Sequence, residues 1–295
     1  MSRPVFTVLM NTTSGSFTDE AREKITAAFA RTSLEAQIAA LKGPEIQGAA
    51  ERAAAAGAAL VAVGGDGTVS TVAAVAVRTG ATFGVIPLGT LNHFAKDAGI
   101  PFEVDAAVAA IAAGRVTALD TGELNGRTFV NNASVGFYAR LVRERQLEQQ
   151  RGHAKWTALA IGLVHAWRHY HQVTVRLTVD GKALVRRTPF VFVGNGEYVD
   201  EGPGLGRRTS LTRGRLWISL APECTRVEML ILVLRALVGR LTPDVELEEF
   251  HATEVTIQPR GDGSGVAMDG ELVRVSPPFT SVIRPRTLHT LLPAG

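Results

Sequence analysis

Short apolar runs alternate with alanine-rich stretches of helical character over roughly the first hundred residues, a βαβα rhythm. Val5 to Met10 reads as a strand. Asp19 to Ala30 reads as a helix, with Thr18 as its N-cap and Asp19 and Glu20 in the first turn, where the helix dipole favours acids. Ile46 to Ala56 is a second helix ending at Gly57, and Ala59 to Val63 is a buried strand. Val69 to Arg78 follows as a helix closed by Gly80, then Phe83 to Pro87 as the next strand. Near-continuous apolar strands separated by helices predict a parallel, doubly wound sheet.

The pattern changes after Val116. Val173, Val175, Leu177 and Val179 alternate with polar neighbours, and Asp180-Gly181 signals a tight hairpin before another apolar run up to Val193. Glu254 to Gln258 alternates in the same way. Helices are expected at Leu141 to Gln150, Lys155 to His169 and Val227 to Val238. The chain therefore divides into an α/β nucleotide-binding domain over 1–119, a β-rich domain over 120–284, and a tail over 285–295 that returns to the first domain. With no repeat and no Pro/Gly/Ser hinge, the two domains are expected to pack closely around a cleft.

The chain has 295 residues, of which 46% are hydrophobic, enough for a sizeable core. The single cysteine, Cys224, forms no internal disulfide, and no basic-apolar leader opens the sequence, so a reducing cytoplasm is expected. Val227 to Val238 carries Glu228 and Arg235 and falls short of the ~20 apolar residues of a membrane span. A soluble or peripheral protein is expected. Net charge is +3, yet arginines cluster at Arg140, Arg143, Arg145 and Arg151, at Arg186 and Arg187, and at Arg207, Arg208, Arg213 and Arg215. Such clusters suit phosphate ligands or an anionic membrane face, and any one of them reads equally well as a solvated surface of mixed charge. Basic residues are not interleaved with aromatics, which argues against a nucleic-acid platform.

The densest chemical signal is Gly64-Gly65-Asp66-Gly67-Thr68, which follows a buried strand and opens a helix. Glycines let the backbone approach an anion, and the free amides and dipole of a helix N-terminus favour phosphate. A bare carboxylate repels phosphate, so Asp66 either holds Mg2+, directly or through water, or orients or deprotonates the acceptor. A second loop, Pro87-Leu88-Gly89-Thr90-Leu91-Asn92-His93, follows the next strand, and a third, Asn11-Thr12-Thr13-Ser14-Gly15, ends the first. Open α/β sheets bind ligands at such strand ends. Together these loops point to phosphoryl transfer from a nucleoside triphosphate to a hydroxyl.

The order Asn-x-x-Ser-Gly, Gly-Gly-Asp-Gly-Thr, Pro-Leu-Gly-Thr-x-Asn resembles the diacylglycerol kinase catalytic family, which includes bacterial lipid kinases and sphingosine kinases. The resemblance continues through Asp120-Thr121-Gly122, Phe129-Val130-Asn131, Ser134-Val135-Gly136-Phe137, Gly194-Asn195-Gly196, Gly202-Pro203-Gly204-Leu205 and Met268-Asp269-Gly270-Glu271. It implies an α/β nucleotide domain followed by a lipid-binding β-sandwich, ATP as donor with Mg2+, and a lipid alcohol as acceptor. By the same resemblance Asn11, Ser14, Gly15, Gly64, Gly65, Gly67, Thr68, Gly89, Thr90 and Asn92 line the nucleotide site, and Asp120 belongs to a substrate or metal network. Glu271, or else Asp269, would take the acceptor's proton.

Two positions depart from the family pattern. His93 stands where the second loop usually has Asp, and Leu211-Thr212-Arg213-Gly214 replaces Leu-Asp-Asp-Gly. Both acids of a structural Mg2+ site are thus missing, and no structural metal is expected there. Lipid kinases of this kind work at a membrane, so peripheral contact with the anionic inner face is implied, while a homodimer stays open. The competing readings are a soluble kinase resembling NAD kinases or phosphofructokinases, which share the Gly-Gly-Asp-Gly turn, and a non-catalytic nucleotide or lipid sensor. His165 and His169 share a helical face without an acid or cysteine to complete a metal site, and read as structural or surface histidines. Trp156, Trp167 and Tyr170, at near-helical spacing, read as core, with contact to lipid or a membrane as the alternative.

Overall fold

The computed structural model describes residues 5–14, 17–199, 207–237, 247–260 and 265–293. Two compact units emerge, Met1–Thr121 with Arg284–Gly295, and Gly122–Ile283.

Unit 1 runs β1 (Val5–Asn11), α1 (Asp19–Ala30), β2 (Glu35–Leu41), α2 (Gly43–Ala55), β3 (Ala59–Gly64), α3 (Asp66–Thr79), β4 (Phe83–Pro87), α4 (His93–Asp97), α5 (Val104–Ala113) and the start of β5 (Val116–Leu124). The first four strands are parallel in the order β2-β1-β3-β4. Every residue of β3 and β4 is buried, as expected of parallel strands covered on both faces. Ile25 and Phe29 of α1 and Val108 and Ile111 of α5 pack with Phe6, Val8, Val61 and Val63 on one side. Helices α2 and α3 pack against each other and against β1 and β3. The sheet is doubly wound.

Periodicity located no strand between α1 and α2. The missing element is β2, an edge strand whose Glu35 and Gln37 leave it half solvated and whose alanines carry no β signal. Helix α3 also begins earlier than the apolar pattern, at Asp66, because Gly65 is its extended N-cap and Asp66-Gly67-Thr68 forms the first turn.

Unit 2 continues with β6 (Arg127–Phe129), β7 (Asn132–Gly136), α6 (Phe137–Gln150), α7 (Lys155–Arg168), β8 (Val173–Val179), β9 (Lys182–Thr188), β10 (Phe190–Asn195), β11 (Tyr198–Val199), β12 (Arg207–Arg208), β13 (Leu216–Leu220), α8 (Arg226–Leu237), β14 (Glu248–Ala252), β15 (Glu254–Pro259), β16 (Val266–Met268), β17 (Glu271–Val273) and β18 (Phe279–Leu291). Asp180 and Gly181 have φ of 43° and 82°, the two positive values a two-residue hairpin turn requires. One layer pairs the first residues of β18 with β15, then β8 and β9; the other runs β14-β13-β10-β7-β16-β17. Inward residues of both layers, among them Val175, Leu177, Ile257, Val135, Val193 and Ile218, share one core. This is a β-sandwich, with helices on the outer face of the second sheet: Ala139 and Val142 of α6 meet Ala267, and Phe137, Ala166, Tyr170 and Met229 form a separate cluster.

Strand β18 serves both units: Phe279 to Val282 pair with β15, whereas Thr290 pairs in parallel with Phe83 of β4. No helix among the described residues is long and apolar enough to cross a membrane. Of the three aromatics read as core, Tyr170 is buried and Trp167 half-buried, but Trp156 is 66% exposed. The reading of Trp156 is thereby corrected: helical spacing does not say which side of α7 faces the sandwich.

Candidate functional site

In unit 1, β1 lies between β2 and β3, so the chain reverses its direction of winding between β1 and β3. The crevice beyond the carboxyl ends of two such strands is where open α/β sheets bind ligands. Asn11 ends β1 and Gly64 ends β3. Asn11 bridges the two loops: its Nδ2 donates to Thr68 Oγ1 at 3.0 Å, and its Oδ1 accepts from Thr13 N at 3.0 Å and Thr13 Oγ1 at 2.7 Å. Ser14 is half-buried, and its backbone N–H donates to Asn11 O at 3.3 Å. Gly15 lies outside the described residues.

The glycines act through close approach. A Cβ on Gly64 would stand 2.8 Å from Thr68 Oγ1, and one on Gly89 would stand 2.5 Å from both the Gly65 Cα and Asn92 Oδ1. The two glycine loops therefore touch backbone to backbone. Asn92, buried and left-handed at φ 50°, closes its own loop by accepting from Gly89 N at 2.9 Å and donating to Gly89 O at 2.7 Å. Asp66 fixes this loop to the first, accepting from Asn92 N at 3.1 Å and His93 N at 2.8 Å.

The side chains of Asn11, Thr68, Asn92 and Asp66 are thus engaged in pinning loops. The donors left over are the first-turn amides of α3, from Asp66, Gly67 and Thr68, which have no intrahelical acceptor and no side-chain cap at Gly65. Thr90, exposed, has no hydrogen-bond partner among the described residues. Amides aimed from a helix N-terminus are suited to phosphate oxygens.

Asp120 is 4% exposed and accepts from Arg286 N at 2.9 Å, holding the left-handed Arg286 (φ 55°) of β18. In unit 2 the hairpin between β16 and β17 carries two carboxylates in different settings. Asp269, at φ 49°, accepts the backbone N–H of Val130 at 2.9 Å, Asn131 at 2.8 Å and Asn132 at 3.0 Å. Glu271 opens β17, exposed, its side chain without a hydrogen-bond partner among the described residues. Of the two, only Glu271 has its oxygens available.

Arg213 donates to Glu197 Oε2 at 2.7 Å, with His251 Nε2 3.9 Å from the same oxygen, and Thr212 N donates to Ser210 Oγ at 3.2 Å. A divalent cation there would face a guanidinium instead of two carboxylates, so the residues present do not fit a structural metal. No cluster of three or more His, Cys, Asp or Glu suited to a metal occurs among the described residues. His165 lies 3.7 Å from Glu144, and His169 Nδ1 is 3.0 Å from His165 O.

Arg208, counted with the basic surface, is instead 4% exposed, bonding to Val130 O, to Asn195 O at 3.2 Å and to Asn131 Oδ1 at 3.0 Å, and lying over the Tyr198 ring. Charge clustering could not reveal this; the Asn195-Gly196 turn and the Asn131 loop that receive it are distant in sequence. Arg186 is also engaged, in a two-pronged pair with Glu248 at 2.7 and 2.6 Å that holds the carboxyl below its ordinary range. Residues 202–205 lie outside the described residues.

Residues 5–124 match the model of the diacylglycerol kinase catalytic domain, and residues 131–292 that of the YegS C-terminal NAD kinase beta sandwich-like domain. A probable lipid kinase YegS-like protein of Pseudomonas aeruginosa is 29% identical over 259 residues, covering 83% of this chain and 80% of that protein. An uncharacterized Synechocystis protein is 27% identical over 244 residues, covering 79% of this chain and 54% of its own length. A crystal structure of a diacylglycerol kinase from Bacillus anthracis shares the fold, with a TM-score of 0.69 at 17% identity over 99% of this chain and 98% of that one. With both domain models matched in order along nearly its whole length, the chain belongs to the family that joins a diacylglycerol kinase catalytic domain to a YegS-type β-sandwich.

Proposed function

We propose that this protein is an ATP-dependent kinase that phosphorylates the hydroxyl of a diacylglycerol-like or other lipid alcohol. One observation carries the reading: the loops after β1, β3 and β4 are held together by Asn11, Asp66 and the Gly65–Gly89 approach, beside first-turn amides of α3 with no intrahelical acceptor. Phosphoryl transfer depends mainly on positioning and on donors fixed around the phosphates, which such a rigid amide cradle supplies. The family supports a nucleotide as donor and a lipid as acceptor.

In the reaction the acceptor oxygen bonds to the γ-phosphorus, the bond to the β-phosphate oxygen breaks, ADP leaves, and the hydroxyl proton passes to a carboxylate. Glu271 is assigned that proton because its carboxylate oxygens have no partner among the described residues, whereas those of Asp269 accept three amides. Thr90 Oγ1 and the amides of Asp66, Gly67 and Thr68 hold phosphate oxygens, and Gly64, Gly65 and Gly89, where a Cβ would strike Thr68 or the facing loop, let the two loops close together beside them. Mg2+ entering with the triphosphate would neutralise phosphate charge, and Asp66, each of whose oxygens accepts one amide and keeps a further lone pair, would hold it or its water.

Labelled ATP and Mg2+, offered with diacylglycerol and other lipid alcohols in mixed micelles and separately with NAD and sugar phosphates, test the reading. Transfer to lipid alone is expected. Label on NAD or a sugar phosphate, or on none of the acceptors, would overturn it.

A further inference from the structure

Helix α7 buries one side and leaves the opposite side apolar. Ala158, Gly162 and Ala166 recur at four-residue spacing and are buried. Half a turn away, Trp156, Ala160 and Val164 have the same spacing and are exposed, Trp156 at 66% and Val164 at 46%. A helix on the surface of a water-soluble domain normally carries polar residues on that side. Here α7 contains no Asp or Glu at all.

The stripe continues onto α8. Trp167 Nε1 donates to Arg226 O at 3.3 Å, which sets the first turn of α8 beside the end of α7, and there Val227 is 62% and Ile231 44% exposed. Arginines border the apolar residues: exposed Arg151, paired with Glu148, precedes α7, and exposed Arg168 and Arg226 lie at its far end. The acids nearby are occupied locally. Glu148 is buried against Arg151 and His153, Glu144 faces His165 at 3.7 Å, and Glu228 accepts Thr225 N of its own cap at 2.6 Å.

We propose that this face of α7 and α8 docks the protein on an anionic lipid bilayer, with Trp156 and Val164 entering the headgroup boundary and Arg168 and Arg226 meeting lipid phosphates. The inference rests on the lipid kinase reading, since a bilayer is where the acceptor would be found. Three features select a bilayer over a protein partner. Tryptophan pairs an apolar ring with one N–H and favours the membrane interface. A helix of 14 residues with one apolar side and basic ends lies in the interface plane and does not span it. A second copy of the chain would set the same arginines against one another, with the exposed acid of this face, Glu228, already bonded to Thr225 of its own cap.

The test is sedimentation of the full chain, without ATP, with phosphatidylcholine vesicles and with vesicles also containing phosphatidylglycerol. Wild type is expected to bind the anionic vesicles and to weaken as salt rises. Trp156→Ala with Val164→Ser removes two inserted apolar side chains and should lower the partition coefficient by about tenfold or more. Arg168→Gln with Arg226→Gln should remove most of the salt dependence while leaving the melting temperature unchanged. Activity of the Trp156/Val164 variant on a short-chain lipid alcohol dissolved as monomers should match wild type. Vesicle binding by that variant equal to wild type would overturn the proposal, as would loss of self-association with vesicle binding intact. Trp156-dependent vesicle binding by a protein that phosphorylates no lipid would sink the kinase reading and keep the docking face.

Discussion

Gly89 and Gly65 meet so closely that a Cβ on Gly89 would lie 2.5 Å from the Gly65 Cα. The neighbour in the way is backbone, so it cannot swing aside. Gly89→Ala is therefore expected to separate the two phosphate loops, raising the ATP dissociation constant by at least about tenfold and costing about 1–3 kcal/mol of stability. Calorimetric titration with ATP and chemical unfolding measure the two effects; normal affinity would show that the loop contact is not part of the nucleotide site.

Asp66→Asn keeps the shape but turns one carboxylate oxygen into an NH2 that faces a backbone donor, Asn92 N or His93 N. Loss of phosphoryl transfer is expected, together with about 1–2 kcal/mol of destabilisation from the weakened loop tie. Wild-type turnover by a folded variant would remove Asp66 from the proposed chemistry.

Glu271 and Asp269 should separate cleanly. Glu271→Gln is expected to lower kcat by about 100-fold or more with ATP affinity and melting temperature near wild type. Asp269→Asn should instead destabilise unit 2, by about 2–4 kcal/mol, because three amides lose a charged acceptor. Reversal of the two outcomes would exchange their roles.

Arg213 pairs with Glu197 and leaves no pair of carboxylates for a divalent cation beside Thr212, so exhaustive chelation should leave the unfolding midpoint unchanged. Activity should still require added Mg2+ with ATP. A chelator-induced drop in the midpoint would contradict this.

Asp180 accepts Glu254 N, Thr253 N and Thr253 Oγ1 at 3.0, 3.0 and 2.9 Å, and the Glu254 amide first, then the Thr253 bonds, hold its carboxyl below the ordinary range. A depressed folded-state value means its stabilisation is present above the unfolded carboxyl value near 3.9 and is lost as pH falls through the folded one. Asp180→Asn, which tolerates the same left-handed backbone, should lower the melting temperature at pH 7 and lose most of that deficit near pH 3. A deficit independent of pH would rule out the carboxylate as its origin.

Local signals determined much of this protein. Apolar runs, Thr18 as a cap, and glycines at 57, 80 and 181 marked helices α1, α2, α3, α6, α7 and α8, strands β1, β3, β4, β8 and β15, and the hairpin after β8, because each depends on residues near in sequence. The order of the motifs likewise indicated a doubly wound domain and a sandwich. Edge strand β2 escaped notice because its alanines and polar residues gain β structure only from pairing with β1. The same distinction divides the site. Residue types named the loops, but only tertiary structure decided that Asp66 bonds to amides 26 and 27 residues away, that Asp269 is held by Val130, Asn131 and Asn132, and that Arg208 is buried. Which side of α7 is buried, and hence the exposure of Trp156, was settled by packing against α6 and by the cluster that Ala166 and Leu163 form with Phe137, Met229 and Phe190, a many-body energy that no local pattern encodes.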